Sequence, residues 1–212
     1  MAEEKKIDGR SLRQKNIYDE AQQKLIKSAT ELLQDPKLNK NSINVSLIAE
    51  NAGTSVATAY NHFPNNMVDV YGAIFNDGFK TVEIELAKFL QTEKKPHLKI
   101  EKFVELQARE IVRLGDAVRS AFFNINEIVS SGNWIKNEPF DLLLNLCKEY
   151  SNENSEIDAT SLAYNVIRNF NGCLFMWMRF NKDSDHWSKF TDDWFLNETS
   201  LAFRQALAVQ NI

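Results

Sequence analysis

The amino-acid sequence predicts an all-α protein. Its 212 residues include only 7 Gly and 4 Pro, and no run of alternating apolar and polar residues bounded by turns indicates a strand. Apolar residues instead recur every three or four positions, as they do on one side of an amphipathic helix. A hydrophobic content of 43%, with 14 Phe and 4 Trp, is enough for an aromatic core. We therefore expect about nine helices, divided between a small N-terminal domain and a larger C-terminal one.

Three helices are predicted in the N-terminal part of the chain. The first runs from about Lys15 to Gln34, with Ile17 as the first residue of its apolar side, and it ends at Asp35-Pro36 because proline cannot extend a helix. Two short helices follow, Val45–Ala52 and Ser55–His62. The long helix is expected to lie across the back of both short ones.

Six further helices are predicted in the C-terminal part. Gly115-Asp116 separates two of them, and Pro139 suits the first turn of another. The last two are apolar nearly all the way round, which indicates burial on more than one side. The expected limits of the six helices are about 66–90, 98–114, 117–128, 139–150, 158–180 and 186–210.

The segment from Ile43 to Val68 has the layout of a helix-turn-helix. Gly53 suits a residue of positive φ that ends one helix and turns the chain into the next. Ser55, or Thr54 before it, can cap the second helix by accepting from its first free N–H groups. An αα-corner that is packed only for stability has the same layout.

The outer side of the second short helix favours DNA over a purely structural corner. Ala59 and Phe63, four residues apart, point inward. The remaining positions carry small, hydroxyl and amide side chains with one Tyr and one His, where most solvated helices carry Glu and Lys. Such a surface approaches base edges and phosphates closely, so the second helix is expected to enter the DNA major groove.

These residues also resemble the TetR family of bacterial helix-turn-helix transcriptional regulators. The run AGTSVATAYNHFPNN, from Ala52 to Asn66, is similar to the family pattern A-G-V-S-x-x-T-L-Y-x-H-F-x-[SN]-K. Ile48-Ala49-Glu50 resembles the family's preceding D-I-A-x-x-A-G helix. The resemblance covers the first third of the chain. It implies an N-terminal arm and DNA-binding domain over residues 1–68, and a helical effector-binding and dimerisation domain over residues 69–212.

The resemblance assigns expected contacts with double-stranded DNA. At two of the positions that face base edges in the family, this chain has Val56 and Ala57. Their side chains carry no polar group and suit contact with thymine methyl groups. Amide and imidazole groups at the end of the helix are expected to donate to phosphates, with Asn66 where the family usually has Lys. The complete expected set is Ser46, Thr54, Ser55, Val56, Ala57, Thr58, Tyr60, Asn61, His62 and Asn66.

The net charge of −4 permits DNA binding without predicting it. Residues 1–70 carry nine Lys or Arg and nine Asp or Glu, and residues 71–212 carry sixteen against twenty. The segment from Ile43 to Val68 has no Lys or Arg. Positive charge precedes it, with Arg10, Arg13 and Lys15 in the arm, where phosphate or minor-groove contacts are expected.

Aromatic and amide side chains in the C-terminal domain indicate a small-molecule effector. A mostly apolar pocket with a few convergent polar groups suits a small neutral or aromatic ligand. A packed aromatic core whose amides face solvent is the alternative. The expected effector-pocket residues are Phe103, Phe122, Phe123, Trp134, Asn169, Phe170, Cys173 and Trp177.

A second copy of the chain is the other expected partner. The last two helices are apolar on more sides than one subunit covers, so a two-fold interface through both would form a homodimer. Gly172 suits a close approach between helices. We expect no membrane partner and a cytoplasmic location, because no N-terminal or internal apolar run is long enough for a signal peptide or a bilayer span.

Enzyme chemistry is not indicated. No G-x-S-x-G, P-loop or G-x-G-x-x-G pattern occurs, and neither the three His nor the two Cys have metal-ligand spacing. We expect no catalytic residues, no cofactor and no metal. Three hypotheses remain: a TetR-like repressor released from a pseudo-palindromic operator by a small ligand, a DNA-bound adaptor of the same family controlled by a protein partner, and a helical enzyme unrelated to DNA.

Overall fold

The computed structural model describes residues 9–123, 138–180 and 190–210. Within these ranges the chain forms ten α-helices and one short 3₁₀ helix, and no strand, which confirms the all-α prediction. None of the helices in the described ranges combines the length and apolar character of a bilayer-spanning helix. The α-helices are α1 (Gly9–Gln34), α2 (Val45–Asn51), α3 (Val56–His62), α4 (Met67–Leu90), α5 (Pro96–Leu114), α6 (Asp116–Phe123), α7 (Glu138–Glu153), α8 (Ala159–Phe180), α9 (Asp192–Ser200) and α10 (Ala202–Gln210).

The chain forms two compact units. The first contains the described residues 9–75 and 116–123, and the second contains 76–115, 138–180 and 190–210. Helix α6, which follows α5 in sequence, therefore belongs to the first unit, where it contacts α1. The functional boundary expected after residue 68 stays a prediction.

The first helix is longer than predicted. It begins at Gly9 rather than near Lys15, so Arg10, Arg13 and Lys15, expected in an N-terminal arm, lie on a helix. Every residue from 12 to 20 is exposed, and Ile17, expected to point inward, has 62% of its surface exposed. Full burial begins only at Leu25, and the side chains of residues 21 and 22 before it are half-buried.

The last predicted helix is divided in two within the described ranges, which contain ten α-helices where about nine are expected for the chain. Thr199 donates its hydroxyl to the carbonyl oxygens of Phe195 and Leu196, a back-bond that bends helices. The chain then turns at Leu201, whose N–H group donates to Glu198 and Thr199, and α10 begins at the next residue.

Each unit has its own apolar core. In the first unit, α1 contacts both α2 and α3 and helps to bury Ile48 and Phe63, as the sequence predicts. In the second unit, α5 packs against α7, α9 and α10, and α8 packs against α7, α9 and α10. The core of the second unit includes Leu86, Ile100, Phe103, Leu143, Leu146, Leu162, Val166 and Phe203.

Candidate functional site

The two short helices of the first unit are joined by a tight turn with defined caps. The side chain of Asn44 accepts from the N–H group of Leu47 at 2.9 Å and caps α2. Gly53 has φ = +64°, the left-handed conformation that the sequence predicts for the turn. Ser55, not Thr54, caps α3, because its Oγ accepts from the N–H group of Thr58 at 3.0 Å.

A buried polar contact fixes α2 on α1. Ser28, in the middle of α1, donates its hydroxyl to the carbonyl oxygen of Ile48 at 2.9 Å and accepts from the side-chain amide of Asn51 at 3.0 Å. Both partners of Ser28 lie on α2. Nothing in the sequence singles out Ser28, because a small polar residue on the apolar side of a helix has no recognisable pattern of its own.

The outward side of α3 has a mixed apolar and amide surface. Val56 is 46% exposed and Tyr60 is 40% exposed, although large apolar side chains are usually covered. Helix α3 contains no carboxylate and no Lys or Arg. Among the expected DNA contacts, Ser55, Val56, Ala57, Tyr60, Asn61 and Asn66 are exposed, and Ser46, Thr54 and Thr58 are half-buried.

His62 is the expected contact that the structure does not leave at the surface. Only 9% of its surface is exposed, and its ring lies against that of Tyr18 on α1, with a centroid distance of 3.9 Å. The Nδ1 atom of His62 is buried and has no hydrogen-bond partner among the residues that the structure describes. Burial lowers the pKa of His62, and the nearby carboxylate of Asp19 opposes that effect. The expected phosphate contact of His62 therefore conflicts with its burial, because α1 extends far enough to cover it.

The residues after α3 bring the chain sharply into α4. Asn66 has φ = +57°, a left-handed conformation that asparagine tolerates better than most residues. The carboxylate of Asp69 accepts from the backbone and side-chain N–H groups of Asn65 at 2.7 and 3.2 Å. The side chain of Asn66 remains exposed at the end of the surface of α3.

The expected effector residues are divided between the two units. Phe122 is half-buried and belongs to the first unit, whereas Phe103 lies in the core of the second. Trp134 and the side chain of Phe123 lie outside the described residues. The four others, Asn169, Phe170, Cys173 and Trp177, lie along α8.

Part of the expected pocket is an aromatic cluster around Phe195 on α9. Trp177 stacks on Phe195 with a centroid distance of 5.2 Å, and Phe170 meets the same ring edge-on at 5.8 Å. The indole N–H group of Trp177 donates to Oδ1 of Asp192 at 2.9 Å. The structure thus brings Phe170 and Trp177 together through Phe195, which is not among the expected pocket residues.

Three polar side chains of the second unit are largely withdrawn from water. Burial and the carboxylate of Glu198 raise the pKa of Cys173, and burial raises the pKa of Cys147 to about 12, so both thiols stay protonated and unreactive at neutral pH. Gln107 on α5 has a buried Nε2 atom, for which the described part of the chain offers no hydrogen-bond partner. A single Gln in an apolar helix pattern does not indicate that its side-chain amide is buried.

Comparison with known proteins adds no assignment. No family model matches the chain, and no curated protein matches it. Within the described ranges, no group of three or more His, Cys, Asp or Glu side chains is placed to hold a metal ion.

Proposed function

We propose that this chain is a DNA-binding transcriptional regulator similar to the TetR family, with α2 and α3 as its helix-turn-helix. The observation that carries the proposal is the exposed side of α3, where Val56 and Tyr60 stand out from a surface without carboxylates. A negatively charged partner meets no repulsion there. The apolar and hydroxyl groups of these two side chains suit base edges in the major groove.

The capping and packing that hold α3 in place support this function. A seven-residue helix is unstable by itself, so its position depends on its cap and its packing. The Ser55 cap, the buried Phe63 and the Ser28 contacts beneath α2 hold both helices in one arrangement. A surface that is already ordered before binding loses less conformational entropy on contact with DNA.

The chemistry of the surface favours sites that contain A·T pairs. Val56 and Ala57 offer methyl groups and no side-chain hydrogen-bonding group, which matches the thymine methyl group in the major groove. The segment from Ile43 to Val68 has no Lys or Arg, so phosphates there meet neutral donors. Arg13 and Lys15 on the exposed start of α1 supply positive charge to the same unit.

Repression by a homodimer, released by a small molecule, completes the proposal. Two copies of the helix-turn-helix unit, here called the heads, can bind one pseudo-palindrome only if the chain forms a two-fold dimer. The exposed Phe175 of α8 offers an apolar contact for such a dimer. A mostly apolar ligand at the cluster of Phe170, Trp177 and Phe195 would favour a dimer whose heads no longer match the half-site spacing.

Selection of duplexes from a random-sequence library tests DNA binding directly. The full chain is expected to enrich a pseudo-palindrome with half-sites about one helical turn apart, roughly 34–36 Å, or a multiple of it. Tyr60→Ala is expected to weaken binding to the selected duplex by about 1–3 kcal/mol. The control is Ile84→Ala on α4, which removes a large side chain that is 59% exposed, against 40% for Tyr60, and that lies in the second unit. Failure to enrich any sequence, or equal affinity of Tyr60→Ala and the wild type, would overturn the proposal.

A further inference from the structure

Tyr18 occupies the surface position at the end of α3 that the sequence assigns to His62. The two rings lie with centroids 3.9 Å apart and planes inclined by 36°. His62 is almost fully covered, whereas Tyr18 is 49% exposed. The aromatic group that a partner of α3 meets beside the end of that helix is therefore the phenol of Tyr18, and the imidazole packs beneath it.

The phenolic hydroxyl of Tyr18 is available to a ligand. It makes no hydrogen bond with any residue in the described ranges, and a phenol O–H is a good donor to an anionic oxygen. Packing against His62 limits the positions of the ring, so less side-chain entropy is lost when the hydroxyl binds.

The surroundings of Tyr18 on α1 favour an anion. Its neighbours on the same side of the helix, three and four residues away, are Gln14, Lys15, Ala21 and Gln22. They include one cation and no carboxylate. Glu20 lies about 200° further round the helix and projects to another side of α1, whereas the carboxylate of Asp19 is close enough to the covered imidazole of His62 to raise its pKa.

We infer that Tyr18 binds a backbone phosphate of double-stranded DNA when α3 lies in the major groove, by donating its phenolic O–H to a phosphate oxygen. The inference rests on the proposed DNA-binding function. The Tyr18 hydroxyl would supply a neutral phosphate contact to the first unit, whose helix-turn-helix segment has no Lys or Arg. Phosphate contacts of this kind fix the register of a protein on the duplex and carry no sequence information.

Tyr18→Phe tests the hydroxyl while keeping the ring that covers His62. The matched control is Tyr164→Phe, which removes the same group from an exposed tyrosine of the second unit. The probes are the duplex selected by the wild type and a duplex of random sequence, each titrated at several salt concentrations. Tyr18→Phe is expected to bind both duplexes about tenfold more weakly, and Tyr164→Phe is expected to bind like the wild type.

The salt dependence distinguishes a hydroxyl contact from a charge contact. The slope of log K against log salt reports the number of phosphates neutralised by cations, so Tyr18→Phe is expected to keep the wild-type slope. Equal binding by Tyr18→Phe and the wild type, or a loss confined to the selected duplex, would overturn the inference while leaving the proposed function intact. A wild type that binds neither duplex would overturn the proposed function itself.

Discussion

A Cβ atom on Gly78 of α4 would lie 2.9 Å from Oε1 of Glu110 on α5. Glu110 is buried, and its carboxylate accepts from the Nε group of Arg113 at 2.8 Å. The missing side chain at position 78 therefore makes room for the buried carboxylate of an ion pair whose other member, Arg113, has a 55% exposed side chain. At Gly72, six residues earlier on the same helix, a Cβ atom would have no neighbouring atom within 4 Å.

The two glycines of α4 are expected to respond to alanine in opposite directions. Gly72→Ala should raise the free energy of unfolding by about 0.5–1 kcal/mol, because alanine favours the helix. Gly78→Ala should lower it by about 1–3 kcal/mol, because the new methyl group displaces the Glu110 carboxylate and meets Leu114. Urea denaturation followed by circular dichroism measures both. A stabilising Gly78→Ala would show that Glu110 moves aside without cost.

Protonation of His62 is expected to destabilise the first unit in mild acid. Its pKa in the folded state is lowered by burial, below the usual 6.5. The stability that depends on neutral His62 is therefore complete above pH 6.5 and is lost as the pH falls from 6.5 to the lowered value. Asp19 and the ring of Tyr18 face the imidazole, and the carboxylate moderates the loss.

His62→Phe provides the control for this titration, because it keeps an aromatic ring against Tyr18 without a titratable nitrogen. Denaturation midpoints are measured between pH 7.5 and 5.5. The wild type should lose stability relative to His62→Phe as the pH falls. Parallel pH profiles of the two proteins would contradict a buried neutral His62.

The Ser55 cap allows helix stability and DNA affinity to be separated. Ser55→Ala removes the acceptor for the N–H group of Thr58 and is expected to cost about 0.5–2 kcal/mol of stability. Ser55→Asp keeps a capping acceptor and adds a negative charge at the start of α3, which stabilises the helix but repels phosphates. Denaturation and gel-shift titration of both variants should show that Ser55→Asp is stable and binds DNA weakly. Strong DNA binding by Ser55→Asp would place the start of α3 away from the phosphates.

The exposed side of α8 is expected to form the homodimer contact. Phe175 is 47% exposed, and a Cβ atom at the neighbouring Gly172 would have open space around it. A carboxylate in an apolar interface would remain without a partner, so Phe175→Asp should dissociate the dimer and weaken operator binding. Sedimentation measures the mass, with Ile84→Asp as the matched surface control. A monomeric mass for the wild type at micromolar concentration would contradict this prediction.

Effector response is expected to depend on Phe170. A screen for small neutral aromatic compounds that release the selected duplex provides the probe. Phe170→Ala should lose that release while still binding DNA, whereas Phe140→Ala, another partly buried ring on the same core, should keep it. Trp177→Ala is less suitable because that side chain is fully buried and its loss destabilises the core.

Linkage gives the same prediction a quantitative check. Duplex DNA must weaken binding of the compound by the factor with which the compound weakens DNA binding, for a coupling of about 1–3 kcal/mol. Fluorescence titration of the compound, with and without duplex, measures the factor. Unequal factors would show that the compound releases DNA by a route other than binding to the protein.

Local rules in the sequence determined most of the helices and the turn between α2 and α3. Apolar spacing located most helix ends to within a few residues, although α1 begins at Gly9 rather than near Lys15. Gly115 separated α5 from α6 as expected, and Ser55 capped α3 as one of two candidates. These features depend on neighbouring residues, so a single sequence contains the information for them. The apolar pattern did not predict the division of the last helix, because the hydrogen bond from the Thr199 hydroxyl to the carbonyl oxygen of Phe195 does not alter the spacing of apolar residues.

Tertiary structure decided which side chains of the head reach the surface. His62 belongs by spacing to the α3 segment that the sequence assigns to DNA, yet the extended start of α1 covers it and exposes Tyr18 instead. The pairing of Phe170 with Trp177 likewise depends on Phe195, which is distant in sequence. Burial results from contacts between segments far apart in the chain, and helical periodicity describes only one segment at a time.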